Sequence, residues 1–214
     1  MTAQIAFERP FKYVMKDPNW TKKVLIGGLI SLSCIVFVGI FVLAGYAKKV
    51  FLTLVKDEDA PIPEIEFGKD LSEGLGVVGV MVCYYAIVLV IAVIPILGWI
   101  LSPILSLALG FVLPVGLMRY FATGQFGAAF DYKGILEYTK ANLNNLLLLF
   151  VINLILGFIG SLGGIACGVG ALFTGFWALI ARSAAMADVW RASQQPIAAL
   201  PPGTPTRNDV APAP

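Results

Sequence analysis

Gly74-Leu75-Gly76-Val77-Val78-Gly79 carries the G-x-G-x-x-G spacing that lets a backbone approach the pyrophosphate of a dinucleotide. That chemistry needs a strand before the glycines and a soluble helix after them, and neither is expected here. The glycines are read as positions of close helix contact where the chain enters a membrane. Seven acidic residues (Asp57, Glu58, Asp59, Glu64, Glu66, Asp70, Glu73) follow Lys48, Lys49 and Lys56. A calcium loop would need regularly spaced oxygen ligands and a turn glycine. Pro61 and Pro63 stand where that turn would be, so the segment is read as a solvated loop. The chain has no histidine, which removes Ser-His-Asp and Cys-His catalysis, and Lys140 has no identifiable serine partner. Cys34, Cys83 and Cys167 fit no metal spacing and are read as packing residues. Asn153 is the deepest strongly polar side chain, with Ser102, Ser106 and Thr174 weaker, and no ionisable group is expected at depth. Asn153 is expected to bond a neighbouring helix, with a substrate contact as its other reading. No catalytic residue, cofactor or metal is expected, and the chain is not read as an enzyme.

The elements that must position these residues follow from where charge is missing. Only 13% of the 214 residues are charged and 58% are hydrophobic, against roughly 25% charged in soluble domains. All of the charge lies in residues 1–23, 48–73, 119–140 and 182–214. The runs between, Val24–Ala47, Gly74–Met118 and Ala141–Ala181, are 24, 45 and 41 residues long. A bilayer crossing takes roughly 20 apolar residues, so the second and third runs each hold two crossings. A soluble fold built on three such runs would have almost no polar surface. A net charge of +2, with no basic stripe, gives no case for nucleic acid. No cleavable signal is evident before Val24.

Each long run is broken near its middle, at Pro95-Ile96-Leu97-Gly98-Trp99 and at Gly160-Ser161-Leu162-Gly163-Gly164. The expected fold is therefore all-α and polytopic. Two full transmembrane hairpins, 74–95 with 99–118 and 143–160 with 163–181, follow an N-terminal membrane hairpin or single span. The two hairpins read as a tandem repeat, because Phe67 and Phe130, and Arg119 and Arg182, are each 63 residues apart. Amphipathic leads precede them and are expected in the interface plane. In the first, Phe67, Leu71 and Leu75 oppose Lys69, Asp70 and Glu73. In the second, which follows Phe130, Tyr132, Ile135, Leu136 and Leu143 oppose Lys133, Glu137 and Lys140. Phe7, Phe11, Val14 and Met15 form a related pattern. On the last helix Gly164, Gly168, Ala171, Gly175 and Ala178 make a stripe of small residues expected to face protein. Asn145, Leu149, Asn153 and Gly157 make its counterpart, with the tightest approach near Gly168.

Three divisions result: an interfacial, cytoplasmic segment over 1–23, a membrane domain over 24–191 and a disordered tail over 192–214. The tail holds six prolines in 23 residues. The first apolar run decides the topology. If it crosses once, the five basic residues before it face away from the other ten. If it turns back within Trp20–Val55, all fifteen share one side, as the positive-inside bias prefers. The turn-back is favoured, and it places both termini in the cytoplasm.

Asp17-Pro18-Asn19-Trp20, Lys22-Lys23, Gly27-Gly28, Gly45-Tyr46 and Pro61-x-Pro63 come in that order. Arg119–Asp131 (RYFATGQFGAAFD), Cys167-Gly168-Val169-Gly170 and Arg191 follow. In this order of motifs the chain resembles the bacterial and archaeal membrane family described as domain of unknown function 4013. The resemblance spans nearly the whole chain except the tail. It implies a helical fold in a bacterial or archaeal membrane, and no activity. It also implies a histidine near the end of the last helix. Ala181–Arg191 has none, so no role of that residue transfers. The functional expectation is a structural or membrane-organising protein in contact with the lipid bilayer, with a homo-oligomer left open. The alternative is a passive transporter or pore subunit for a small neutral solute.

Overall fold

The computed structural model describes residues 6–31, 38–94, 97–162 and 169–194. Eight α-helices run in order: α1 (Arg9–Lys16), α2 (Trp20–Ser31), α3 (Val38–Lys56), α4 (Phe67–Ala92), α5 (Leu97–Thr123), α6 (Tyr132–Ala141), α7 (Leu143–Leu162) and α8 (Val169–Gln194). A short 3-10 helix, Phe126–Phe130, precedes α6. No strand occurs among the described residues. Five helices are long and apolar enough to cross a membrane, those containing Val38–Lys56, Phe67–Ala92, Leu101–Thr123, Leu143–Leu162 and Gly170–Gln194. The expected breaks fall between α4 and α5 and between α7 and α8. Pro95, Ile96, Gly163, Gly164 and Gly168 lie outside the described residues, as do Cys34, Cys167 and the tail from 195 onward.

The closest crossing in the bundle joins α3 to α4. A Cβ built on Gly45 would lie 1.9 Å from the Asp70 carbonyl oxygen, and one on Gly74 would lie 1.7 Å from that of Phe41. Only hydrogen at both positions lets the two backbones touch, and close packing of this kind is what holds helices together where no hydrophobic drive exists between them. Gly74, first of the G-x-G-x-x-G glycines, thus has the helix-contact role expected of it. Gly27 and Gly28 on α2 receive the rings of Phe176 and Phe173 from α8. Phe176 also stacks on Tyr46 of α3, with centroids 5.4 Å apart. Phe51 of α3 meets Phe121 of α5 and Trp190 of α8 edge-on, and Trp190 stacks on Tyr138 of α6.

Several expectations need correction. Phe67–Glu73 is no separate in-plane helix but the first two turns of α4, continuous to Ala92. Asp70 is buried, while Phe67 and Leu75 are exposed and Leu71 is half-buried. Gly74 must press its own face onto α3, and Asp70, one turn earlier, goes with it. The second lead is a distinct helix, α6, separated from α7 at Asn142. Ile135 is buried there, whereas Tyr132 and Leu136 are exposed. The two leads are therefore built differently. On α1 the buried residues are Pro10, Tyr13 and Val14, while Phe7 and Met15 point outward.

The small-residue stripe fares unevenly. Ala178 is buried and Ala171 half-buried, but Gly175 is exposed and a Cβ there would meet nothing within 4 Å. Gly157 is likewise open. The buried line on α7 is Asn145, Leu149, Ile152 and Leu156. Steps of four residues advance about 400° at 3.6 residues per turn, so the 145-149-153-157 line walks off the contact face. Cys83, expected in packing, is exposed on α4.

Candidate functional site

The polar ends of the helices meet in one ion-paired face. Asp17, in the turn before α2, accepts from the Asn19 amide at 2.8 Å and binds the Lys23 ammonium at 2.8 Å. Its second oxygen accepts from the Ile62 amide at 3.1 Å, and Lys23 donates to the Ile62 carbonyl. The start of α2 is thereby tied to the segment between α3 and α4. Burial pushes the Asp17 carboxyl up, but Lys23 and the two amides outweigh it and hold the group below the usual carboxylate range. Tyr46 donates to the Pro63 carbonyl at 3.0 Å. The motifs Asp-Pro-Asn-Trp, Gly-Tyr and Pro-x-Pro thus converge on one knot.

Arg9 of α1 pairs with Asp188 of α8 and with Glu58 at 3.3 Å. Arg191 reaches Glu58 at 3.0 Å, Asp188 at 3.1 Å and the Leu54 carbonyl at 3.1 Å. Lys16 pairs with Asp59, and its hydrogen bond holds that carboxyl down. Lys48 pairs with Glu73, and Lys49 with Glu66 and Asp70. Arg119 pairs with Asp131. Tyr138 of α6 donates to the Val189 carbonyl at 3.4 Å, and burial pushes its phenol up to about 12. The acidic loop is therefore not merely solvated. It is the segment on which α1, α2, α3 and α8 are latched, with Ala60 and Ile62 buried. Acidic composition alone could not show this, because its basic partners lie up to 133 residues away in sequence. No cluster with metal-binding arrangement occurs among the described residues.

A second feature lies deeper. α4, α5, α7 and α8 surround a partly open cavity of about 650 Å³. Its walls are mostly apolar, and Tyr85, Ser106, Asn153 and Arg182 supply polar groups. Among the described residues, Arg182 is the only charged one lining it. Asn153 does not make the interhelical bond expected of it: its Oδ1 is buried with no partner among the described residues. Thr174 makes the polar bond between α7 and α8 instead, donating to the Gly160 carbonyl at 3.0 Å. Arg182 is the ionisable group at the cavity, and its side chain is exposed. Arg182 sits well inside the Gly170–Gln194 apolar helix, about 14 Å along it from Arg191 at 1.5 Å per residue. As the first charge after a long uncharged run, it reads in sequence as the end of a span. The helix continues past it for three further turns.

Of the sequence-predicted packing and interfacial residues, the structure brings Asn153 to this cavity. It leaves Ala171 half-buried and places Phe130 against Tyr84, with ring centroids 5.3 Å apart. The model for the family described as Protein of unknown function (DUF4013) matches residues 28–169. The chain belongs to this family. The DUF4013 match covers α3 to α7, with the Gly45–Gly74 crossing, the acidic latch loop and Asn153. Asp17, Arg182 and Arg191 lie beyond its ends. No curated protein matches, and no solved structure does.

Proposed function

We propose that the chain is an integral protein of a bacterial or archaeal cell membrane with a structural or membrane-organising role. Four helices, α4, α5, α7 and α8, cross the bilayer as two hairpins. α2 and α3 form a shallower hairpin, so that both ends and both charged loops share the cytoplasmic face. The observation that carries this reading is the joining of all four charged stretches at one polar face, through Arg9–Asp188, Arg191–Glu58, Asp17–Ile62 and Tyr138–Val189. The twelve residues of α2 extend about 18 Å, against roughly 30 Å of hydrocarbon. The part of α3 before Lys48 is shorter still. A body with six helices in one leaflet and four in the other displaces lipid unequally, which favours curvature.

This reading includes no catalytic step. Passive conduction of a neutral solute is the weaker reading, because the cavity that could serve it holds an unpaired arginine. Reconstitution into vesicles of mixed zwitterionic and anionic lipid tests the role. Tubules or a narrowed vesicle size distribution at high protein density are expected, with no release of entrapped glycerol. Solute release without a change of vesicle shape would favour the pore. The mass of the detergent-solubilised particle decides whether a homo-oligomer is the acting unit.

A further inference from the structure

We infer that the cavity between α4, α5, α7 and α8 is a binding site for a long-chain carboxylate, with Arg182 as the anchor of the acid head. The inference rests on these helices lying in a bilayer, as proposed above. Three observations carry it. Arg182 is exposed and lines the cavity, and it has no acidic partner and no side-chain hydrogen bond among the described residues. In the proposed bilayer arrangement an ionisable group on this apolar helix is costly, so a guanidinium kept there calls for a counter-charge. The Oδ1 of Asn153, lining the same cavity, is buried and unsatisfied, and can accept from an ordered water beside the carboxylate head. The remaining wall is apolar, from Met81, Leu107, Leu113 and Phe150 among others, which suits an alkyl chain and not a hydrated ion.

Charge and size choose among acids. One guanidinium balances one negative charge, and its planar fork matches a carboxylate with two parallel hydrogen bonds. A phosphomonoester carries about −1.5 to −2 at neutral pH and would leave charge uncompensated in an apolar wall. A volume of about 650 Å³ falls in the range of small-ligand pockets, about 300–1,000 Å³. The cavity is open on one side, which allows a chain to enter from the lipid.

The test is a competition assay on the full chain in non-ionic detergent, using a fluorescent fatty acid as probe. Oleate should displace the probe, and methyl oleate should do so at least tenfold less well, since a hydrogen-bonded charge contributes about 1.5–3 kcal/mol. Arg182→Gln should weaken the probe at least tenfold, while Arg182→Lys, which keeps the charge but loses the two-bond fork, should fall between Arg182→Gln and wild type. If Arg182→Gln fails to fold, Leu107→Trp decides, because it fills the chain-binding wall and leaves the charge in place. Equal binding of acid and ester, undiminished binding to either variant, or stronger displacement by phosphatidic acid than by oleate would overturn the inference. Side-specific labelling of the loops reports on the membrane arrangement independently, so failure of that arrangement is distinguishable from an empty cavity.

Discussion

Gly45 and Gly74 differ from the other glycines in what stands opposite them. Each faces a backbone carbonyl, of Asp70 and Phe41 respectively, and a backbone cannot rotate away as a phenyl ring can. Gly45→Ala or Gly74→Ala must push α3 and α4 apart, with an expected loss of about 2–3 kcal/mol. Gly175→Ala meets open space and should change stability by less than about 0.5 kcal/mol. Thermal unfolding in one detergent compares the three, and equal effects would refute the crossing. Asp17 gives a second prediction at this scale. Its folded carboxyl is held below the ordinary value of 3.8, so its ionised form stabilises the fold at every pH above that value. The contribution falls away as pH drops below 3.8 through the folded value. Wild type should therefore unfold at a higher temperature than Asp17→Asn at pH 5–7, by a constant margin. The margin should close below about pH 4. A margin that persists in acid would mean that the carboxylate charge is not what holds the Ile62 segment.

Among the elements, the ones bounded by charge were the most legible. The breaks between α4 and α5 and between α7 and α8 fall where proline and glycine interrupt long apolar runs. The second amphipathic lead is helical as its periodicity requires. What periodicity could not supply was the direction of each face. In water the apolar side of a helix turns inward, but α4 turns Leu75 out and Asp70 in, because the glycine beside Asp70 makes the contact. Nor could it show that charge marks the end of an apolar run without ending the helix, which hid Arg182. The N-terminal pattern is read from Phe7, Phe11, Val14 and Met15; of these Val14 is buried and Phe11 half-buried, and α1 is docked by Pro10, Tyr13 and Val14 and pinned by Arg9. That docking is a local equilibrium and can be measured. Removing the Arg9 bonds to Asp188 and Glu58 should free α1 without unfolding the bundle. Arg9→Ala should speed tryptic cleavage after Lys12 or Lys16 about tenfold or more, given about 1.5–3 kcal/mol for a charged hydrogen bond. Cleavage at the wild-type rate would show that the apolar side chains alone hold the helix.

For the whole molecule, the sidedness of charge is the property that fold and sequence share. Each of the four charged stretches is bonded to another, and the bonds form one layer: Lys16–Asp59, Arg191–Glu58, Lys23–Asp17 and Tyr138–Val189. A layer of this kind cannot be divided by a bilayer, so the chain must cross an even number of times between any two of its members. In the proposed arrangement, where α4–α5 and α7–α8 each cross and return, α2–α3 would return as well. The positive-inside bias favours a cytoplasmic layer in that proposal, since thirteen lysines and arginines from Arg9 to Arg191 lie outside the cavity and all fall in charged stretches. Single cysteines in a Cys34→Ala, Cys83→Ala, Cys167→Ala background make this measurable in intact cells. Asp59→Cys, Lys133→Cys and Ser193→Cys should resist a membrane-impermeant maleimide until the cells are opened. Ser161→Cys, exposed at the far end of α7, should react from outside. Labelling of Asp59→Cys from the side opposite to Lys133→Cys would break the layer, and with it both the shallow hairpin and the unequal profile from which the organising role is argued.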